Sequence, residues 1–403
     1  MKSRIGPLAG IKVVDLSSVL MGPLCTQILA DNGAEVIKIE RLEGDTTRGI
    51  GPSRSPGMGP LFLHLNRSKK SVSLDLKDPR CREAALRLIK DADVIVHNLR
   101  PRVIERLGFG FEAVSHVNPK IVYCSLYGFD QKGPAADHPA YDDLIQGAAA
   151  LPSLQKQAGS TVPRYVAMNI ADRLVGISAA YAISMGLLAS HRTGTAQKID
   201  VPMFETLTAH VLSDHLYGRT FVPPVAGAGY PRLLAEDRRP FATSDGHICM
   251  AIYTDRHWRA FLAEVGREDL MKDPRFKSIG TRTEAVAYVY GFLAETLAAS
   301  STQFWLSMCN RLDIPAARLN TIDELLSDPQ CSAAELVGEV NHPTEGRLMA
   351  IRNPILWQDA ALAPGHAPLL GQHTLEALQS IGLSAEDITH MQADGVINLH
   401  PGK

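Results

Sequence analysis

Gly10-Ile11-Lys12-Val13-Val14-Asp15, then Gly22-Pro23-Leu24-Cys25-Thr26-Gln27 running on to Asp31, then Asn32-Gly33 and Glu35-Val36-Ile37-Lys38-Ile39, is the stretch that decides the fold. A short apolar run reads as a strand, Gly-Pro opens a helix, Asn-Gly closes it, and a second apolar run returns as a strand. The same rhythm continues with strands at 71–76, 93–96 and 121–125, and with a helix from Asp78-Pro79 to Ile89. Strand and helix in alternation predict an α/β fold with a Rossmann-like parallel sheet.

Farther along, Val222-Pro223-Pro224-Val225-Ala226-Gly227-Ala228-Gly229 reads as a linker or a lid loop. Beyond it the pattern becomes α+β, with a strand at 246–252, helices at 258–265 and 284–298, and a short helix at 322–326. The expected organisation is a large domain over 1–222, a small α+β domain over 223–330, and a segment over 331–403 that returns to the large domain. His247, His257 and Trp258 are assigned to packing of the small domain.

Bulk properties exclude several classes. With 403 residues, 45% hydrophobic and 21% charged, the chain has ample material for a soluble two-domain globule. A net charge of −2 gives nucleic acid no bulk electrostatic attraction. The six cysteines are scattered without metal-ligand spacing, so reduced thiols, no metal site and a cytoplasmic location are expected. No signal-peptide pattern opens the chain, and the apolar stretch 174–189 is short and interrupted for a membrane span.

In open parallel sheets, ligands bind beyond the carboxyl ends of the strands. Polar residues there are Ser17-Ser18-Val19, Glu40-Arg41, Lys77, His97-Asn98-Leu99-Arg100-Pro101-Arg102 and Tyr127-Gly128. Arg41, Lys77, Arg100, Arg102 and Arg106 together would make a basic rim suited to a phosphate-bearing ligand; singly, each reads as a solvated surface charge. No G-x-G-x-x-G, Walker A or G-x-S-x-G sequence is present, which removes the usual support for dinucleotide, triphosphate and serine-hydrolase chemistry. One carboxylate, Asp172, opens a run that is apolar on almost every side (Leu174, Val175, Ile177, Ala179, Ala180, Tyr181, Ile183, Met185, Leu187, Leu188). That run reads as a buried helix, with Asp172 either capping its first turn or held there for chemistry.

These residues resemble the class III CoA-transferases, the family of formyl-CoA transferase and carnitine CoA-transferase, over nearly the whole chain. The marks are Gly22-Pro23-Leu24-Cys25-Thr26-Gln27, Gly33-Ala34-Glu35-Val36-Ile37-Lys38-Ile39-Glu40, Gly44-Asp45-Thr46-Thr47-Arg48, Leu65-Asn66-Arg67-Ser68-Lys69-Lys70-Ser71, Asn98-Leu99-Arg100-Pro101, Gly128-Phe129-Asp130, Ala140-Tyr141-Asp142 and Arg192-Thr193-Gly194. The resemblance implies CoA transfer from an acyl-CoA to a carboxylic acid through an anhydride and a CoA thioester on Asp172, with Asp142 orienting it. It implies a CoA site at Val19, Arg41, Leu74, Lys77, Asn98, Leu99, Arg100, Arg106, Ala140 and Tyr141, and no resident cofactor. It implies an interlocked homodimer acting on an acyl-CoA and a small carboxylic acid, without nucleic-acid or membrane partners. A lid formed by 226–229 would exclude water, and backbone N–H groups at the start of the Leu174 helix would hold the oxyanion.

Two other readings carry different chemistry. The related CoA-ester racemases carry a His-Asp pair where this chain has Ala140-Tyr141; His138 lies two positions earlier, so the racemase base is missing from its place. A non-catalytic CoA-binding protein would keep the fold alone. Departures from formyl-CoA transferase are Leu20 in place of glutamine and the missing tetraglycine loop. Arg232, Arg238 or Arg239 would meet a second carboxylate if the acid is a dicarboxylate, or else are exposed loop arginines.

Overall fold

A computed structural model describes residues 6–358 and 365–400. Six strands form a parallel sheet: β1 (Lys12–Asp15), β2 (Glu35–Glu40), β3 (Lys69–Leu74), β4 (Val94–His97), β5 (Val122–Tyr127) and β6 (Gln197–Pro202). Their spatial order is β3-β2-β1-β4-β5-β6, with the last strand, Ile397–Asn398, added antiparallel on β3. Order therefore reverses between β1 and β4. Val13 and Val14 in β1, Val72 in β3 and Val94, Ile95 and Val96 in β4 are buried, as strands covered on both faces require. The five expected strands are present. The sixth, Gln-Lys-Ile-Asp-Val-Pro, is polar enough at this edge of the sheet to escape a reading by apolar runs.

The chain divides into two compact units. The first holds residues 1–145, 168–207 and 329–403 and contains the parallel sheet; the second holds 146–167 and 208–328. Sequence placed boundaries at 222 and 330, with nothing between 1 and 222 leaving the large domain. Instead, Leu151–Gln157 packs on Pro231–Leu234, which draws 146–167 into the second unit although no composition shift marks it. Residues 226–229 are tied to their own unit, because Gly218 N–H donates to Gly227 O at 3.2 Å and Gly229 N–H to His215 O at 2.8 Å.

Within the second unit, Phe241–Thr243, Gly246–Met250 and Ala316–Arg318 form a three-stranded antiparallel sheet. Its core gathers Phe241, Ile248, Trp258, Phe261, Leu293 and Trp305. Trp258 and His257 are buried there, while His247 is exposed, because alternation on its strand turns it away from the core occupied by Ile248.

In the first unit, the helix Ile170–Thr193 lays a small-residue face (Ala171, Gly176, Ala179, Ala180) on the helix α1 (Met21–Asp31) and on β5 and β6. The helix expected to be buried is covered by this chain on one face only. Ile177, Tyr181, Met185 and Leu188 form a stripe between 54% and 64% exposed.

Candidate active site

After β1 the chain turns through 16–20 into α1. Val19 there has φ of 71°, a left-handed backbone that a β-branched residue rarely adopts. The turn is held from below. Val19 N–H faces both carboxylate oxygens of Asp45 at 3.3 Å, and Asp45 pairs with Lys38 at 3.0 Å. Lys38 Nζ also donates to Ser17 O at 2.7 Å. From the side, Ser18 N–H donates to Asn98 Oδ1 at 3.0 Å, and Asn98 Nδ2 returns a bond to Ser18 O at 2.7 Å. The loops following β1 and β4 are thus laced together where strand order reverses, which is where this architecture binds ligands.

A cavity of about 200 Å³ lies there, lined among others by Val19, Asn98, Leu99, Arg100, Ala140 and Tyr141. Those are six of the ten residues expected to meet CoA. Arg41, Lys77 and Arg106 are exposed and do not line it. Leu74 differs from expectation most plainly. Its side chain is buried in the core and its backbone pairs with Ile397, so it serves packing. Of the basic rim, Arg102 is held by Asp137 at 2.7 Å. His97, at the end of β4, is fully buried and has no hydrogen-bond partner on either ring nitrogen; burial pushes its pKa down to about 3.

Two glycines set the walls. A Cβ on Gly128 would stand 2.3 Å from Ala140 Cβ, so only glycine lets the Ala140-Tyr141 segment close on β5. A Cβ on Gly176 would stand 2.7 Å from Met21 O, so glycine brings the long helix against the start of α1. Met21 lines the cavity, and Asp172 lies one turn before Gly176 on the same face.

Asp172 sits in the first turn of Ile170–Thr193, yet its carboxylate makes no cap and has no hydrogen-bond partner among the described residues. The capping role passes to Asp142, whose Oδ1 accepts from Asp172 N–H at 3.0 Å. Asp142 opens the helix Asp142–Ala148 and is itself buried. Burial first, and the Asp142 charge second, push the Asp172 pKa up to about 7, against the weaker pull of Arg173. Ile170 N–H donates to Met168 O and Arg173 N–H to Asn169 O, so three backbone donors at this helix start are already engaged and the expected oxyanion role does not fit them.

Sequence reasoning missed the buried ions beneath the β1 turn. Asp15 pairs with Lys69 at 3.2 Å and accepts from Ser17 and Thr26, while Glu40 pairs with Arg48 at 2.7 Å. A lysine inside an apolar parallel strand, as in Glu35-Val36-Ile37-Lys38-Ile39, is the signal that finds them, since strands covered on both faces have little room for solvated charge.

A doubly wound sheet, a cavity at its switch point and, on the helix packed against α1, an unpartnered carboxylate with a raised pKa that does not itself line that cavity are the features of an α/β enzyme. The chain belongs to CoA-transferase family III, which matches residues 8–374. It is 30% identical to a succinate–glutarate CoA-transferase of Agrobacterium fabrum, over 94% of this chain and 97% of the relative. It is 31% identical to a mouse succinyl-CoA:glutarate CoA-transferase, over 98% and 92%. A CAIB/BAIF family protein from Brucella suis shares the fold with a TM-score of 0.78 at 28% identity, over 94% of this chain and all (100%) of that one. The protein is a CoA-transferase that moves CoA between an acyl-CoA and a carboxylic acid.

Proposed function

We propose that transfer proceeds by covalent catalysis on Asp172, and the observation that carries this is its unpartnered carboxylate with a pKa near 7. A carboxylate so raised is a stronger nucleophile than an ordinary one and is still about half ionised at pH 7. It attacks the thioester carbonyl; the C–S bond breaks, CoA leaves as thiolate, and an aspartyl anhydride forms. The thiolate then attacks the aspartyl carbonyl, releasing the donor acid as carboxylate and leaving CoA in thioester linkage to Asp172. The acceptor carboxylate repeats the sequence in reverse. Asp142 orients Asp172 through its backbone N–H and raises its basicity. Oxyanion stabilisation falls to the start of α1, where no side chain caps the helix and Met21 faces the cavity.

CoA in this reading lies against the β1 and β4 loops, with Arg100 toward its phosphates. The names of the relatives support a dicarboxylic acid as substrate. The stripe Ile177, Tyr181, Met185 and Leu188 supports a homodimer in which the partner covers it, and the family's interlocked arrangement is the form proposed. Tyr181→Glu is then expected to shift the protein to monomer in light scattering coupled to gel filtration.

The test is intact mass after incubation with a panel of acyl-CoAs, trapped with hydroxylamine. A hydroxamate mapping to Asp172 and lost in Asp172→Ala supports the mechanism. His138, on the cavity wall, is the group a racemase reading would need. Exchange of the α-proton into deuterium oxide with no adduct from any donor would replace the transferase mechanism by that one.

A further inference from the structure

The second unit has a cavity of its own, of about 550 Å³. Its walls include Arg232, Arg238, Arg239, Phe241, Tyr290 and Ala316, and no acidic residue lines it. The charges are unequal in status. Arg239 is neutralised by Asp237 at 3.0 Å. Arg232 has its guanidinium 5.5 Å from the Tyr253 ring, and neither it nor Arg238 has a carboxylate partner among the described residues.

Apart from the arginines the lining is mainly apolar, with Phe241, Met250 and Ala316 among it. Met250 and Ala316 face one another as partners in the antiparallel pairing of Gly246–Met250 with Ala316–Arg318, as do Cys249 and Ala317. Backbone groups on this floor are used by the sheet, so it presents mainly side chains, and polarity is concentrated in the guanidinium groups. Such a site takes an anion with an apolar body. A guanidinium fork matches a carboxylate in two parallel bonds, and an inorganic anion leaves the apolar floor unused.

We infer that this cavity of the second unit binds a small aliphatic carboxylic acid, its carboxylate on Arg232 and Arg238 and its carbon chain on the Phe241, Met250 and Ala316 floor. The inference rests on the reading of the protein as an enzyme with a free organic acid as substrate, and assigns that acid a site. Uncompensated guanidinium groups beside an apolar floor are its basis.

Titration calorimetry of the full chain with glutarate, with and without CoA, tests it, using butyrate and inorganic phosphate as comparisons. Arg232→Gln and Arg238→Gln are each expected to weaken glutarate binding about tenfold or more, as lost charge-assisted bonds do. Arg239→Gln changes it less, since Asp237 already holds that side chain. Ala316→Leu, which fills the floor and keeps every charge, also weakens binding, and thermal melts confirm that the variants fold. Unchanged glutarate affinity in the double arginine variant overturns the inference. So does absence of binding with and without CoA, or phosphate binding as tightly as glutarate. Hydroxamate at Asp172 with glutarate binding indifferent to both arginines removes this inference alone. Arginine-dependent glutarate binding with no adduct from any donor removes the covalent mechanism and leaves the site.

Discussion

Two aspartates of the first unit, Asp15 and Asp172, are carboxylates at the carboxyl end of the same sheet or beside it, and the fold treats them in opposite ways. Asp15 is fully buried, and desolvation alone would raise its pKa. Lys69, Lys38 and the hydroxyls of Ser17 and Thr26 overcome that penalty and hold it at about 2. Asp172 is less buried, yet no hydroxyl reaches it and the charge that acts on it most is another carboxylate, so burial and that charge carry its pKa to about 7. Burial is common to both; the partners decide the sign. A carboxylate surrounded by donors is locked into structure, whereas one denied donors keeps its lone pairs for chemistry.

The largest expected effect breaks that contrast at its reactive end. Asp172→Asn is expected to lower turnover by about 10³-fold or more, as removal of a nucleophile does, with the melting transition retained. Asp15→Asn should do the reverse. It leaves Lys69 buried beside Lys38 without its carboxylate, and loss of one member of a buried pair costs about 3–5 kcal/mol. Urea denaturation reads that loss, and a variant as stable as the parent would show that the Asp15 cluster is not structural.

A pH series sharpens the comparison. Ionised Asp172 is the attacking form, so the rate of adduct formation is expected to rise with pH through about 7. Asp142→Asn keeps an oxygen for the Asp172 N–H and removes the charge; the rise then moves to lower pH. An unmoved profile would detach Asp142 from the tuning of Asp172. In stability the two aspartates again have opposite signs. Asp15, depressed when folded, stabilises the protein above its ordinary value of 3.8, and this is lost as pH falls toward 2. Asp172, raised when folded, favours the folded state at low pH, and that contribution is lost as pH climbs from 3.8 to about 7.

Much of the fold was legible because apolar runs, or in β3 the alternation of Ser with Val72 and Leu74, mark strands β1 to β5. Edge strand β6 and the two-residue strand Ile397–Asn398 were not, since neither is a long apolar run. The candidate site was legible by position: strand-end reasoning and family likeness converge on Val19, Asn98, Leu99 and Arg100, and the likeness alone adds Tyr141. Neither could say that Leu74 turns into the core. An aspartate in a first helical turn reads equally as cap or nucleophile. Only the carboxylate of Asp142, thirty positions away in sequence, separates the two by taking the cap itself. The exposed stripe on the long helix was hidden because apolarity does not say whether the chain or a partner supplies the cover.

The smallest expected effect concerns how Asp172 is placed. Replacing helical glycine by alanine gains up to about 1 kcal/mol in propensity where there is room. Gly147, within Asp142–Ala148, has nothing within 4 Å of its would-be Cβ, so Gly147→Ala should stabilise by several tenths of that scale. At Gly176 the same methyl meets Met21 O at 2.7 Å and Leu24 Cδ2 at 3.1 Å. Overpacking of this kind costs about 1–3 kcal/mol, which exceeds the propensity gain, so Gly176→Ala is expected to destabilise by about 1 kcal/mol. The helix must also move off α1 and carry Asp172 with it, so adduct formation should slow while its pH profile stays in place, because the charges around Asp172 are untouched. A Gly176→Ala protein with full rate would mean that α1 does not fix the nucleophile's position, and the burden would pass to the Asp142 bond.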